Sequence, residues 1–135
     1  MTHSTLIKVR GYHLDIYQHV NNARYLEFLE EARWAYLEDS GDIEFFEAKG
    51  LAWVLVNINI NYRLPAMMGQ TLDIKTRFSK IGSKSSVIHQ EVYIKGTDKL
   101  IADADITFVC LDRKTGKPIV IEGDLKARFE EHLID

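Results

Sequence analysis

Leu51-Ala52-Trp53-Val54-Leu55-Val56-Asn57-Ile58-Asn59-Ile60-Asn61-Tyr62 is where the chain changes its period. The stretch opens as a continuous apolar run and then alternates. Val56, Ile58, Ile60 and Tyr62 fall on one side and Asn57, Asn59 and Asn61 on the other, the twofold repeat of a strand with one face turned inward. The next segments keep that period. Leu72, Ile74 and Phe78 alternate with Asp73, Lys75 and Arg77; after Gly82, Ile88, Val92 and Ile94 alternate with His89, Glu91 and Tyr93. A further strand, about Leu100 to Leu111, carries Ala102, Ala104, Ile106, Phe108 and Cys110 on one face. The turns at Gly82 and Gly96 are short, which suits antiparallel neighbours, because a parallel pair needs a long crossover. Pro118 to Ile121 predicts a last short strand and Glu122 to His132 a terminal helix.

Upstream the period is helical. After a tail, Met1 to Thr5, the run Leu6 to Arg10 predicts a first strand stopped by Gly11, and a loop spans Tyr12 to Val20. From Asn22 to about Glu38, Tyr25, Phe28, Leu29, Ala32 and Tyr36 recur at helical spacing, with Leu26, Ala35 and Leu37 widening the apolar side. Asn21 or Asn22 caps its start. At 1.5 Å per residue this buried helix is roughly 25 Å long. Asp42 to Lys49 predicts a short second helix ended by Gly50. The expected architecture is α+β: one strand, a long central helix, then a meander of long strands forming a curved antiparallel sheet around it. Such a sheet leaves an open edge, and pairing of two copies into a dimer or tetramer covers it.

With 135 residues, 46% hydrophobic and 27% charged, the chain reads as a single domain over 1–135 and not as a disordered or low-complexity segment. Seventeen Lys plus Arg against twenty Asp plus Glu leave a net charge of -3, so nothing in the bulk charge attracts nucleic acid or an anionic membrane. The single Cys110 forms no internal disulfide, and no signal-peptide pattern is present, so a cytoplasmic location is expected. The longest apolar run, Leu51 to Val56, is too short for membrane insertion.

Chemistry concentrates between the first strand and the long helix, in Tyr12-His13-Leu14-Asp15-Ile16-Tyr17-Gln18-His19-Val20-Asn21-Asn22. A helix start offers free backbone N–H groups and a positive dipole end, which a developing oxyanion requires, and a carboxylate a few residues upstream can act on a carbonyl polarised there. The structural reading of the same residues is that Asp15 makes a turn, an Asn caps the helix and His19 packs in the loop. Other chemistries lack their motifs: there is no G-x-S-x-G elbow, and His13 and His19 occur without H-E-x-x-H or a Cys cluster, so no metal or other cofactor is expected.

Asp15-Ile16-Tyr17-Gln18-His19-Val20-Asn21-Asn22-Ala23-Arg24-Tyr25 resembles the D-x-x-x-H-V-N-N-x-x-Y signature of hotdog-fold acyl-CoA thioesterases of the 4-hydroxybenzoyl-CoA thioesterase type. The resemblance extends to Val9-Arg10, to Asn61-Tyr62-Arg63-Leu64-Pro65-Ala66 with Gly69, and to Ile81-Gly82-Ser83-Lys84-Ser85; Gln70 departs from the acidic residue common there. It implies a hotdog fold that hydrolyses medium- to long-chain fatty acyl-CoA at a dimer interface. Asp15 would be base or nucleophile, the Asn22 N–H would polarise the thioester carbonyl, and His19 would bond water or carbonyl or else brace the loop. Asn21 and Tyr25 match the motif on the substrate side, with Tyr25 as tunnel wall or core. Ser85 and Ser86 would position water or simply start a strand. Glu27 and Glu31 are reserve bases or a solvated helix face.

Two further expectations concern the substrate. Tyr25, Phe28, Leu29 and Ala32, facing Ile58, Ile60 and Phe78, border an apolar groove for the acyl chain or else fill the core. Arg63, Arg77, Lys80 and Lys84 gather on one rim of the sheet to hold the coenzyme phosphates or else keep hairpins solvated. The competing functions are another hotdog enzyme of the hydratase or dehydratase kind and a noncatalytic acyl-CoA-binding module. A pure binder has no use for Asp15 aimed at a helix N-terminus.

Overall fold

A computed structural model describes residues 2–133. In chain order it contains β1 (His3–Lys8), a 3-10 turn (Gly11–His13), α1 (Asn22–Ser40), α2 (Asp42–Lys49), β2 (Leu51–Tyr62), β3 (Thr71–Ile81), β4 (Ser85–Ile94), β5 (Leu100–Asp112) and α3 (Gly123–Leu133). The five strands form one sheet in the order β1-β3-β4-β5-β2, every neighbour antiparallel. This is the α+β hotdog arrangement, with the long helix on one face of the sheet.

The core lies where the two periods meet. Tyr25, Phe28, Leu29, Ala32 and Tyr36 of α1 are buried against Leu72, Ile74 and Phe78 of β3, Ile88 and Val92 of β4, and Ala102, Ala104, Ile106, Phe108 and Cys110 of β5. Phe129 of α3 closes the same side, its ring 5.0 Å from Phe78. Burial pushes the Cys110 thiol up to about 12, so it behaves as a small apolar side chain.

Several expectations need correction. Strand β1 starts at His3, inside the expected tail, because its alternating side chains pair with β3 from His3↔Thr76 to Lys8↔Thr71; Met1 lies outside the described residues. Only β3, β4 and β5 form a meander; β2 crosses to the far edge and pairs with β5. Val56 does not share the inward face of Ile58: it is the extra residue of a bulge between Leu55↔Phe108 and Asn57↔Thr107 and is 54% exposed. Pro118 to Ile121 makes only a bridge to Leu111 and single bonds to Cys110 and Ser83, since Pro118 has no N–H to donate. Leu26 is exposed, outside the buried stripe.

Both ends of α1 are set by local chemistry. Asn21, with extended backbone, accepts from the Ala23 N–H at 2.9 Å through its side chain, which makes it the N-cap. At the other end Gly41 adopts φ 77°, the left-handed conformation that ends a helix cheaply only at glycine. There Asp42, fully buried, accepts from Arg128 Nε at 2.7 Å and lies 2.7 Å from His132 Nε2; His132 Nδ1 is 2.8 Å from the Tyr36 hydroxyl. This network ties α3 to the α1–α2 junction.

Candidate active site

The loop before α1 folds back on Asp15. The Asp15 N–H donates to the His19 carbonyl at 2.8 Å, and Asp15 Oδ1 accepts from the backbone N–H of Tyr17 at 2.8 Å and of His19 at 3.3 Å. Closing this turn puts Gln18 at φ 65°, a left-handed position that costs a non-glycine residue about 1 kcal/mol. The second carboxylate oxygen, Oδ2, has no partner among the described residues.

The turn is braced by the segment after β2. Val20 N–H donates to the Ala66 carbonyl at 2.9 Å, His19 bridges Met67, and the Ala66 N–H donates to the Tyr25 hydroxyl at 3.2 Å. Burial raises the Tyr25 phenol above its ordinary value, so it stays protonated and structural. Between the two segments opens a cleft of about 410 Å³ walled by Asp15, His19, Asn21, Asn22, Tyr62 and Arg63 among others. As the first residue of α1, Asn22 has no intrahelical acceptor for its N–H, and no other described residue accepts it. A carboxylate oxygen and a free helix N-terminal N–H therefore share one cleft, the pairing that attack on a carbonyl uses.

Asp15, His19, Asn21, Asn22, Tyr25 and Arg63 all line this cleft. Arg63 arrives already paired, its Nε 2.6 Å from Asp103, which holds the Asp103 carboxyl below the usual range. Lys84 and Ser85 do not join them within one chain. Ser85 pairs with Val109 while the Arg63 N–H bonds Ile101, and those eight residues of β5 span roughly 26 Å. The cationic rim is therefore not assembled in one chain either: Arg77, Lys80 and Lys84 sit toward the β3–β4 turn, at the other end from Arg63.

Ser86 is buried, its hydroxyl accepting from Trp53 Nε1 at 3.1 Å. Glu27 and Glu31 line a different depression, beside Lys8 and Arg10, and Glu27 pairs with Arg24 at 2.9 Å. Phe28, Leu29, Ala32 and Phe78 are at most 5% exposed and belong to the core, as does Tyr25, which also lines the Asp15 cleft.

Tyr62 is the site residue that sequence reasoning passed over. Its hydroxyl donates to the Asn22 carbonyl at 3.0 Å and its ring meets Tyr25 edge-on at 5.5 Å, locking the end of β2 onto the helix start. Its place beside Arg63 in a segment already singled out was the available signal.

A long-chain acyl-CoA thioesterase, FadM of Escherichia coli (strain K12), is 51% identical to this chain over 127 residues, 94% of this chain and 96% of that protein. The crystal structure of YbaW, a probable thioesterase from Escherichia coli, superimposes with a TM-score of 0.92 at 50% identity, covering 97% of this chain and 98% of that one. The fold recurs at 17% identity and a TM-score of 0.84, over 100% of both chains, in Slr0204, a 1,4-dihydroxy-2-naphthoyl-CoA thioesterase from Synechocystis. The family model described as the Thioesterase-like superfamily matches residues 9–129, the whole span from the end of β1 through the cleft to α3, and it is to this family that the chain belongs.

Proposed function

We propose that the protein hydrolyses medium- to long-chain fatty acyl-CoA to free fatty acid and coenzyme A. One observation carries the reading: Asp15 and Asn22, whose Oδ2 and N–H have no partner among the described residues, line the same cleft in a chain 51% identical to a long-chain acyl-CoA thioesterase. The Asn22 N–H, at the positive end of a 19-residue helix, polarises the thioester carbonyl and stabilises the oxyanion. Asp15, with Oδ1 held by two amides, presents Oδ2 either to a water that attacks the carbonyl carbon or to that carbon directly. In the first route Asp15 takes the water's proton, and collapse of the tetrahedral adduct breaks the C–S bond to give the fatty acid and the coenzyme thiolate, which takes up that proton; in the second, loss of the thiolate leaves a mixed anhydride on Asp15 that water then hydrolyses to the free acid. His19, half-buried in the same wall, orients the water or the carbonyl.

The functional unit in this reading is a dimer. Strand β2 is a sheet edge, and Val54, Leu55 and Val56 along it are exposed. Antiparallel pairing of two β2 strands covers this edge and carries the β3–β4 turn of the second copy, with Lys84 and Ser85, toward the cleft of the first. The turn's cations then meet the coenzyme phosphates from the other chain.

The test is thiol release across acyl-CoAs of graded length, with wild type and Asp15→Asn compared. Turnover rising steeply from acetyl to long chains and falling about a hundredfold or more in the variant is expected. A folded Asp15→Asn protein with wild-type turnover refutes the assignment.

A further inference from the structure

A separate depression, about 330 Å³, lies between the end of β1 and the first half of α1 and shares no residue with the Asp15 cleft. It stands at the β1 edge of the sheet, the opposite edge from β2, so a second copy paired along β2 does not cover it. Lys8 and Arg10 border it on one side, and Arg24, Glu27 and Glu31, spaced along one face of α1, on the other. His13 lines it too and is only 8% exposed, its ring edge-on to Phe28 at 4.8 Å. The hydrogen bonding of that ring fixes its tautomer. Nδ1 accepts from the Arg10 N–H at 2.9 Å, and burial, then the charges of Arg24 and Arg10, outweigh Glu27 and hold the ring below its ordinary pKa, so it is neutral at pH 7. Its proton therefore sits on Nε2. This N–H has no acceptor among the described residues, yet it is not sealed in, since the one fully buried side-chain polar atom without a partner among them is Asp73 Oδ1. It opens to the depression that the ring lines.

The charges around this donor are unbalanced. Glu27 is spent on Arg24 at 2.9 Å, while Lys8 and Arg10 have no carboxylate of the described residues within ion-pair distance. Three cations against two carboxylates leave the rim positive in a chain whose net charge is -3. A donor withdrawn from water without an acceptor is costly, and an entering anion offsets that cost. The donors come from an ammonium, two guanidinium groups and a neutral imidazole. Together they exceed what the two oxygens of a carboxylate can accept, and they suit a phosphate, which brings three acceptor oxygens and nearly two negative charges at pH 7.

We propose that this depression binds a phosphate monoester, held by Lys8, Arg10 and the His13 Nε2–H, at a site apart from the Asp15 cleft. The inference does not depend on the thioesterase reading, and inorganic phosphate is its probe. In proton–nitrogen NMR titrations at constant ionic strength, phosphate should move the His13 Nε2 resonance and bind at least about tenfold more tightly than acetate. Lys8→Met and Arg10→Met should each weaken phosphate several-fold, whereas Glu31→Gln, which removes a neighbouring negative charge, should tighten it. His13→Asn keeps an acceptor for the Arg10 N–H but lacks the Nε2 donor, and should lose the preference for phosphate over acetate. If that variant does not fold by circular dichroism, the wild-type His13 resonance and the Lys8→Met titration carry the test. Asp15→Asn should bind phosphate as wild type does. Dephospho-coenzyme A, which has a pyrophosphate but no phosphate monoester, should leave phosphate bound; displacement by it overturns the proposal, by assigning the depression to the pyrophosphate of the substrate. Displacement by coenzyme A alone identifies the occupant as the coenzyme's ribose phosphate, and displacement by neither identifies it as a free phosphate ester; both outcomes support the site. Phosphate that leaves the His13 resonance unmoved, binds no better than acetate, or is indifferent to Lys8→Met and Arg10→Met combined overturns it.

Discussion

Helix α1 has an aspartate just beyond each end, and the two are treated in opposite ways. Asp42, at the C-terminal junction, is fully buried and spends both oxygens, Oδ1 on Arg128 and Oδ2 on His132. Asp15, before the N-terminus, is half-buried and spends one oxygen on backbone amides, leaving the other in a cleft. A carboxylate whose every lone pair is engaged inside the protein clamps elements together. One held by a single oxygen in a strained turn is positioned but unspent, and that is the condition for acting on something else.

Substitutions at the two ends should therefore separate stability from turnover. Asp42→Ala leaves the Arg128 guanidinium and the His132 ring facing each other across an empty buried position, and should lower unfolding free energy by about 3–5 kcal/mol in denaturant titration. Activity per folded molecule should persist. Asp15→Asn should invert the pattern: the hundredfold loss of turnover is equivalent to about 2.7 kcal/mol in the barrier, with the unfolding midpoint near wild type. Equal damage to both quantities by either variant would dissolve the distinction.

Smaller effects sharpen it. Asn21→Ala removes the cap bond to Ala23 and should cost about 1 kcal/mol of stability while also loosening the Asn22 amide, so turnover should fall more than for a cap placed away from any site. The comparison is read as kcat against the midpoint of thermal unfolding. Acid should act on the other end. Burial alone would raise the Asp42 pKa, but hydrogen bonds from His132 and Arg128 outweigh it and hold the carboxyl below its ordinary value. With the folded-state value depressed, the network's contribution is complete above the ordinary aspartate value of about 3.9 and is lost as pH falls through the folded-state value. The stability gap between wild type and Asp42→Asn should narrow below about pH 4, when unfolding is followed by circular dichroism.

The two ends also differed in how much of them could be read in advance. The Asp15–Tyr25 stretch is contiguous, so its motif, its turn and its helix start were visible together, and Asp15, His19, Asn21, Asn22 and Tyr25 line one cleft. Helix α2 and strand β2 begin and end where their periodicity and Gly50 indicated. The Asp42 clamp was not visible, because its partners lie 86 and 90 residues downstream and nothing local distinguishes a buried aspartate from an ordinary helix-start residue. That Lys84 and Ser85 stand apart from the Asp15 cleft within one chain was hidden for a related reason. Alternation fixes which side of a strand faces inward, but sheet order decides which turn meets which loop, and that order depends on long-range pairing that local period does not encode.

That order has a consequence for how the chain comes off the ribosome. The residues of β2 and their partners in β5 are separated by roughly fifty positions, with β3 and β4 translated between them. At about 5–20 residues per second, β2 is synthesised some 3–10 s before the strand it pairs with exists. The β3–β4 hairpin closes early, since its turn is short and its loop-closure entropy small, whereas docking β2 onto β5 comes last. During that interval the apolar run Leu51–Val56 is an unpaired nascent segment, and it is the part of the chain that a co-translational chaperone has most reason to hold.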